Sequence, residues 1–156
     1  MKIKPAAIND FEEINRLIEI ADKLHREALP EMFVKPKGPV RERAYIEKLI
    51  NDQKTGFFLA ELDGELMGLI QGTIWESPAI PIMSNEQYGM IENLVVMSEY
   101  RRKGVGKELF NKLNDWFVSN GIYDIRLNVF EFNQEAISFY KKLGFLNYSR
   151  RMKLKK

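Results

Sequence analysis

The sequence predicts an α/β (α+β) fold, a mixed β-sheet flanked by helices, on three observations. Stretches with period-two or continuous apolar character alternate with stretches whose apolar residues recur every three and four positions. Asp63-Gly64 separates two apolar runs and has the residue types that suit the positive φ angles of a two-residue hairpin turn. The nearly continuous apolar run "YGMIENLVVM" suits a central strand covered on both faces, and it leads through a glycine-bearing loop into a helical pattern.

In chain order, "KIKPAAI" is the first strand. Asp10 stands where a helix N-cap is expected, with Glu13 three residues later, and Phe11, Ile14, Leu17, Ile18, Ala21, Leu24 and Ala28 form the apolar stripe of a helix over 10–28. Pro30, Pro36, Gly38 and Pro39 make residues 29–38 a loop, after which a weaker helical pattern runs from Val40 to Ile50 with Pro39 at its first position. "GFFLAELDGELMGLIQGTIW" reads as the two hairpin strands, "ESPAIPIMSNEQ" as a proline-bearing loop and "YGMIENLVVM" as the next strand. From Gly104 onward Val105, Leu109, Leu113, Trp116 and Phe117 mark a helix with its stop at Asn120-Gly121. "YDIRLNVF" is expected as a strand with Tyr123, Ile125, Leu127 and Val129 on one face. Asn133 caps a short helix carrying Ala136, Ile137, Tyr140 and Leu143, Gly144 ends it, and "FLNYSRRMKL" reads as a last strand. The order is βααβββαβαβ.

Composition narrows the function. A chain of 156 residues with 45% hydrophobic content suits one domain over 1–156 with a sizeable core. A formal charge of +2 gives no general case for nucleic acid as a partner, and the basic tail "SRRMKLKK" reads as a solvated end. Cysteine is absent and His25 is the single histidine, which removes thiolate nucleophiles, disulfides and Cys/His zinc sites. His25 itself reads as a surface or boundary residue. No apolar run approaches ~18 residues and no signal-peptide pattern is present, so the expectation is a soluble, cytoplasmic protein with no membrane partner.

The chemistry concentrates in "YRRKGVGKEL", residues 100–109. A strand, a glycine loop and a helix start present free backbone N–H groups and a positive dipole end to an anion, usually phosphate. The NTPase loop does not fit, since Arg101 stands at its first glycine position and Glu108 where a Ser or Thr would hold magnesium. The dinucleotide fingerprint does not fit either, since Leu109 takes its third glycine position. What remains is Arg101-x-x-Gly104-x-Gly106, followed one strand later by "NQEAISFYKKLGF". These two segments, intact and at this separation, make the chain resemble the GCN5-related N-acetyltransferase (GNAT) family.

That resemblance implies a GNAT fold: a mixed central sheet of about six to seven strands with about four helices, splayed between its fourth and fifth strands. It implies acetyl-coenzyme A (acetyl-CoA) as acetyl donor and no metal. The pyrophosphate would lie on the loop of Arg101, Arg102, Lys103, Gly104, Val105, Gly106 and Lys107, where cations add attraction and glycines admit close backbone approach. The pantetheine arm would add like a strand to the exposed edge at Leu94, Val95 and Val96, with the Val96 N–H facing the thioester oxygen. Asn133 would touch the same arm. Tyr140 occupies the position of the family's general acid, which protonates the departing thiolate.

For the base, strand alternation puts Glu92 on a face with Met90, Leu94 and Val96, a carboxylate in apolar surroundings; Glu131 is a second carboxylate nearby, and Asn128 cannot serve. The acceptor cleft would be walled by "LPEMFVKPKG" and "WESPAIPIMSNEQY", with Phe33, Trp75 and Tyr88 as binding residues. The expected reaction is direct acetyl transfer to a primary amine, preferably of a small molecule, with an acyl-CoA-binding regulatory module and an RNA-associated basic domain as alternatives. A homodimer is left open.

Overall fold

One mixed sheet organises the computed structural model, which describes residues 1–154. The last two lysines of the basic tail lie outside the described residues. The strands run in the order β1 (Lys2–Pro5), β2 (Thr55–Leu62), β3 (Glu65–Glu76), β4 (Gln87–Val96) and β5 (Ile125–Leu127). β1 to β4 are antiparallel neighbours and β5 joins β4 in parallel. The helices are α1 (Phe11–Ala28), α2 (Arg43–Asn51), α3 (Val105–Ser119) and α4 (Gln134–Lys142). A parallel neighbour needs a crossover, and α3 supplies it.

Strand alternation sends the apolar residues to two cores. On one face Phe57, Leu59, Leu69 and Val95 pack with Ile14, Leu17 and Ile18 of α1 and Ile46 of α2. On the other Phe58, Ala60, Ile70 and Ile91 pack with Val105, Leu109, Leu113 and Phe117 of α3, the stripe expected from the sequence. At Asp63 (φ 52°) and Gly64 (φ 85°) the hairpin takes the two positive angles its residue types predict. Among the described residues, no helix is long and apolar enough to cross a membrane.

α3 lies close to the sheet because glycines floor it. A Cβ placed on Gly89 would stand 2.7 Å from two ring atoms of the fully buried Phe117, and Gly56 and Gly72 meet Trp116 and Leu113 in the same way. Gly89→Ala is expected to cost about 1–3 kcal/mol, since an overpacked core must push Phe117 off its rotamer. Urea unfolding checks this: a midpoint equal to that of the wild type would show that the helix rides higher than the contact implies.

Several expectations are corrected. The expected Asp10 cap of α1 is not formed: its carboxylate accepts from the Ala7 N–H and from Lys4 Nζ, turning back to a short 3₁₀ turn at Ile8–Asp10. The second helix begins at Arg43 rather than beside Pro39, because the Arg41 N–H is drawn to Asn15 Oδ1 on α1 at 2.8 Å and its guanidinium to Asp22. "YDIRLNVF" yields strand only at Ile125–Leu127, the three residues paired with Gly89, Met90 and Ile91, and Tyr123 is 79% exposed. Beyond Ile91 the two strands part, which is the predicted splay. Residues 145–154 form no strand. Leu146, Tyr148, Met152 and Leu154 keep their period-two spacing yet stand exposed, since no strand edge pairs with them. The sheet therefore has five strands rather than six to seven.

Candidate functional site

The site is built around the splay. Met97 N–H donates to Met67 O at 2.9 Å on the β3 side, so the preceding peptide groups of Val96 turn the other way, into the gap beside β5. Arg101 Nε accordingly reaches Val96 O at 3.1 Å from that side. By the same alternation Leu94 presents its N–H and C=O to the gap, while those of Val95 face β3. Of the three residues expected at this edge, Leu94 offers its N–H and C=O and Val96 its N–H, the Val96 carbonyl being taken by Arg101, and Val95 contributes its side chain to the core.

The glycine loop leads from this edge into α3. Arg102 (φ 61°) and Gly104 (φ 88°) both take left-handed backbone, which curls the chain so that Gly104 caps the helix. The first bond of the helix is Glu108 N–H to Gly104 O. Among the described residues, the N–H groups of Arg102, Lys103, Gly104, Val105, Gly106 and Lys107 have no protein acceptor. They sit at the positive end of a helix of 15 residues, a concentration of unpaired donors that an anion satisfies. Arg101 does not point into that space: it bridges Val96 O and Glu135, at 3.1 and 3.2 Å, tying β4 to α4 across the gap. Around Gly106 an added Cβ would lie 3.4 Å from Phe139, an ordinary contact, so the protein's own packing does not require a glycine there.

α4 brings Tyr140 to the same region. Asn133 Oδ1 accepts the Ala136 N–H at 3.2 Å, the cap expected from the sequence, and Gly144 (φ 97°) closes the other end. The Tyr140 ring is wedged against Phe139 and Phe145, and burial pushes its hydroxyl up to about 12. That hydroxyl has no hydrogen-bond partner among the described residues, yet it is not sealed from solvent. It is a protonated donor, half-buried and left without an acceptor among the described residues.

On the opposite face lie Glu92, Trp75 and Tyr88, the residues expected at the acceptor side. Gly72 pairs with Ile91 and Gln71 with Asn93, so Glu92 is the extra residue of a β-bulge. The bulge reverses the alternation: Ile91, Leu94 and Val96 pack toward α3, whereas Val95 and Met97 pack toward α1. The expectation that Glu92 shares a face with Leu94 and Val96 is therefore corrected; it stays with Met90 on the α1 face. There Trp75 Nε1 donates to Glu92 Oε1 at 3.1 Å, and the Trp75 and Tyr88 rings meet at 6.4 Å. Glu92 is an exposed residue and its bond to the indole lies at the surface, so the desolvation is partial; it raises the carboxyl from its ordinary value, and the indole hydrogen bond opposes this.

Phe33 does not join Trp75 and Tyr88. It packs with His25 and Phe130, and Phe132 completes an aromatic group in which His25 touches all three phenylalanines at 5.3–5.7 Å. His25 Nδ1 faces Ala21 O at 2.7 Å, so the single histidine holds the end of α1 against the loop after β5. Glu131 offers its carbonyl to Gln134, and its carboxylate makes no ion pair or hydrogen bond among the described residues. Two further residues of this face escape sequence reasoning. Arg126 stacks 4.0 Å over Tyr88, and buried Gln71 accepts from Asn93 Nδ2 at 2.7 Å. Only Gln71, polar inside the run "GLIQG", carries a sequence signal.

Comparison with known proteins places this arrangement. Over its whole length the chain superposes on a solved tetramutant of the BH1408 protein of Bacillus halodurans, with a TM-score of 0.93, 21% identity and 100% of both chains covered. The aminoglycoside antibiotic 6'-N-acetyltransferase AAC(6')-IG of Acinetobacter haemolyticus matches with a TM-score of 0.74 and 17% identity, over 100% of this chain and 98% of that one. An aminoglycoside acetyltransferase, meta-AAC0020, from an uncultured soil metagenomic sample, solved with trehalose, matches with a TM-score of 0.71 and 19% identity, over 99% and 94%. At these identities the likeness is one of fold. The model of the acetyltransferase (GNAT) family matches residues 18–145, a span that holds the glycine loop, the bulged strand and the Tyr140 helix, and the chain belongs to that family.

Proposed function

We propose that the protein transfers an acetyl group from acetyl-CoA to a primary amine, with a small molecule as acceptor, by direct attack in a ternary complex. The observation that carries this is the run of unpaired N–H groups from Arg102 to Lys107 at the mouth of the splay, next to the free edge of Leu94 and Val96 and the unbonded Tyr140 hydroxyl. The donor set fits a pyrophosphate, and Lys103 and Lys107 add charge without crowding the backbone. When bound, acetyl-CoA supplies a thioester whose carbonyl accepts the amine nitrogen as the C–S bond breaks. Glu92 takes the ammonium proton beforehand, the Val96 N–H supports the oxyanion, and Tyr140 donates to the leaving sulfur.

The small-molecule acceptor is supported by the aromatic and acidic corner of Trp75, Tyr88 and Glu92, which suits a compact cation. The fold likeness to two aminoglycoside acetyltransferases agrees with it. Localisation in the cytoplasm, where acetyl-CoA is available, belongs to the same reading. The test is thiol release from acetyl-CoA against aromatic monoamines, polyamines, aminoglycosides, and peptides offering an N-terminus or a lysine. The expected outcome is a small amine with the highest kcat/KM. Peptides turned over well above every small amine would reject the acceptor class, and binding of acetyl-CoA without thiol release for any amine would assign a binding module instead.

A further inference from the structure

We propose that Trp75 is a positioning residue for Glu92: its indole N–H holds one carboxylate oxygen so that the other is presented to the incoming amine. This rests on the reading of Glu92 as the base. The contact is Trp75 Nε1 to Glu92 Oε1 at 3.1 Å, made across neighbouring strands.

The fold gives Glu92 a need for such a partner. A residue at a β-bulge has no directly opposite neighbour in the ladder, so cross-strand packing does not select its rotamer. Desolvation alone would favour the protonated carboxyl, which cannot accept the amine's proton. The indole N–H is a donor at every working pH and never an acceptor, so it always favours the carboxylate. Trp75 is in turn braced. Its ring lies against Tyr88, Tyr88 is covered by Arg126 at 4.0 Å, and Arg126 is held by Asp124 and by Glu86. The line from β5 through Tyr88 to Trp75 thus ends on the carboxylate.

Charged neighbours do not offer a rival cause. Glu92 makes no ion pair among the described residues, and its only side-chain hydrogen bond is to the indole. On β3, Glu76 is engaged by Lys54 and Gln87. On β5, Arg126 is engaged by its carboxylates. On α1, Asp22 pairs with Arg41, Arg26 pairs with Glu19, and the His25 Nδ1 faces a backbone carbonyl.

The test compares Trp75→Phe, which keeps a ring and removes the N–H, with Glu92→Gln and the wild type, using benzylamine and spermidine as acceptors at saturating acetyl-CoA. A base must be deprotonated, so kcat/KM falls as pH drops through its pKa. Losing a hydrogen bond that favours the carboxylate moves that acidic limb to higher pH, and plateau kcat is expected to fall about 3- to 10-fold. A second measurement leaves Trp75 in place. In a Trp116→Phe background its indole is the only one, and its emission should titrate with the acidic limb and lose that titration in Glu92→Gln. An acidic limb in Trp75→Phe that superimposes on the wild type, or emission that ignores Glu92, overturns the positioning role. An acidic limb unchanged in Glu92→Gln overturns the base reading itself, so the two failures are distinguishable.

Discussion

Tyr140→Phe is expected to lower kcat by about 10- to 1000-fold while leaving acetyl-CoA affinity and melting temperature close to those of the wild type. The separation follows from what the hydroxyl does in the protein. It has no partner among the described residues, so its removal breaks no internal hydrogen bond and leaves no buried group unpaired. The ring contacts with Phe139 and Phe145 survive the substitution. Any effect must therefore appear where the hydroxyl meets a ligand. Burial pushes its pKa up to about 12, above the ~8.5 typical of a thiol, so complete proton transfer to a thiolate is uphill; the hydroxyl acts by donating a hydrogen bond that stabilises the departing thiolate, and it stays protonated through the neutral range. The wild-type rate should consequently show no alkaline limb from Tyr140 below about pH 10. Thiol release under saturating donor and acceptor measures kcat. A variant with unchanged kcat, or one altered only in acetyl-CoA affinity, would remove Tyr140 from the acid role.

What the sequence made legible divides along a physical line. Local patterns carried through: the three-and-four spacing of Val105, Leu109, Leu113 and Phe117 gives α3, and Asp63-Gly64 gives the hairpin. The Asn133 cap and the Gly104 turn also follow from residue type alone. Features that need two partners did not. The bulge at Glu92 is a relation between β3 and β4, and no alternation within β4 announces it, so alternation alone puts Glu92 on the face of Leu94 and Val96, where it does not lie. Leu146, Tyr148, Met152 and Leu154 have strand spacing, but a strand exists only where another edge accepts its bonds. Asp10 fails as a cap for the same reason: Lys4 and the Ala7 N–H lie within its reach and win the carboxylate.

Of the site itself, the motif residues were legible and their surroundings were not. Gly104, Gly106, Asn133 and Tyr140 stand out because a left-handed turn, capping, and the backbone approach and acid chemistry we propose restrict the residue type. The Trp75 contact to Glu92, the Arg126 stack on Tyr88 and the His25 aromatic group join residues distant in sequence, and nothing in any one of these segments specifies its partner. Phe33 shows the cost. Its place in a loop next to α1 says nothing of the two rings it packs with, His25 and Phe130.

Acetyl-CoA at a hundredfold excess over its dissociation constant is expected to raise the melting temperature by roughly 5 to 10 °C, and Gly106→Val is expected to remove that shift. The two glycines of the loop test this differently. Gly104 has φ 88°, where a β-branched residue is strained by about 1–2 kcal/mol or more, so Gly104→Val lowers the unliganded melting point as well. Gly106 is an ordinary helical residue whose added Cβ finds Phe139 at 3.4 Å and Val96 at 3.7 Å. Its substitution should leave the unliganded protein within a few degrees of the wild type, about 1 kcal/mol, by comparison with a helical Gly replaced by a β-branched residue. What a valine does crowd is the space above the N–H groups at the start of α3, where a phosphate must come within hydrogen-bond distance of the backbone. The loss of the shift with the fold intact is then a statement about the ligand and not about stability. A full-size shift in both variants would mean that the nucleotide does not lie on this loop, and the unpaired donors from Arg102 to Lys107 would need another guest.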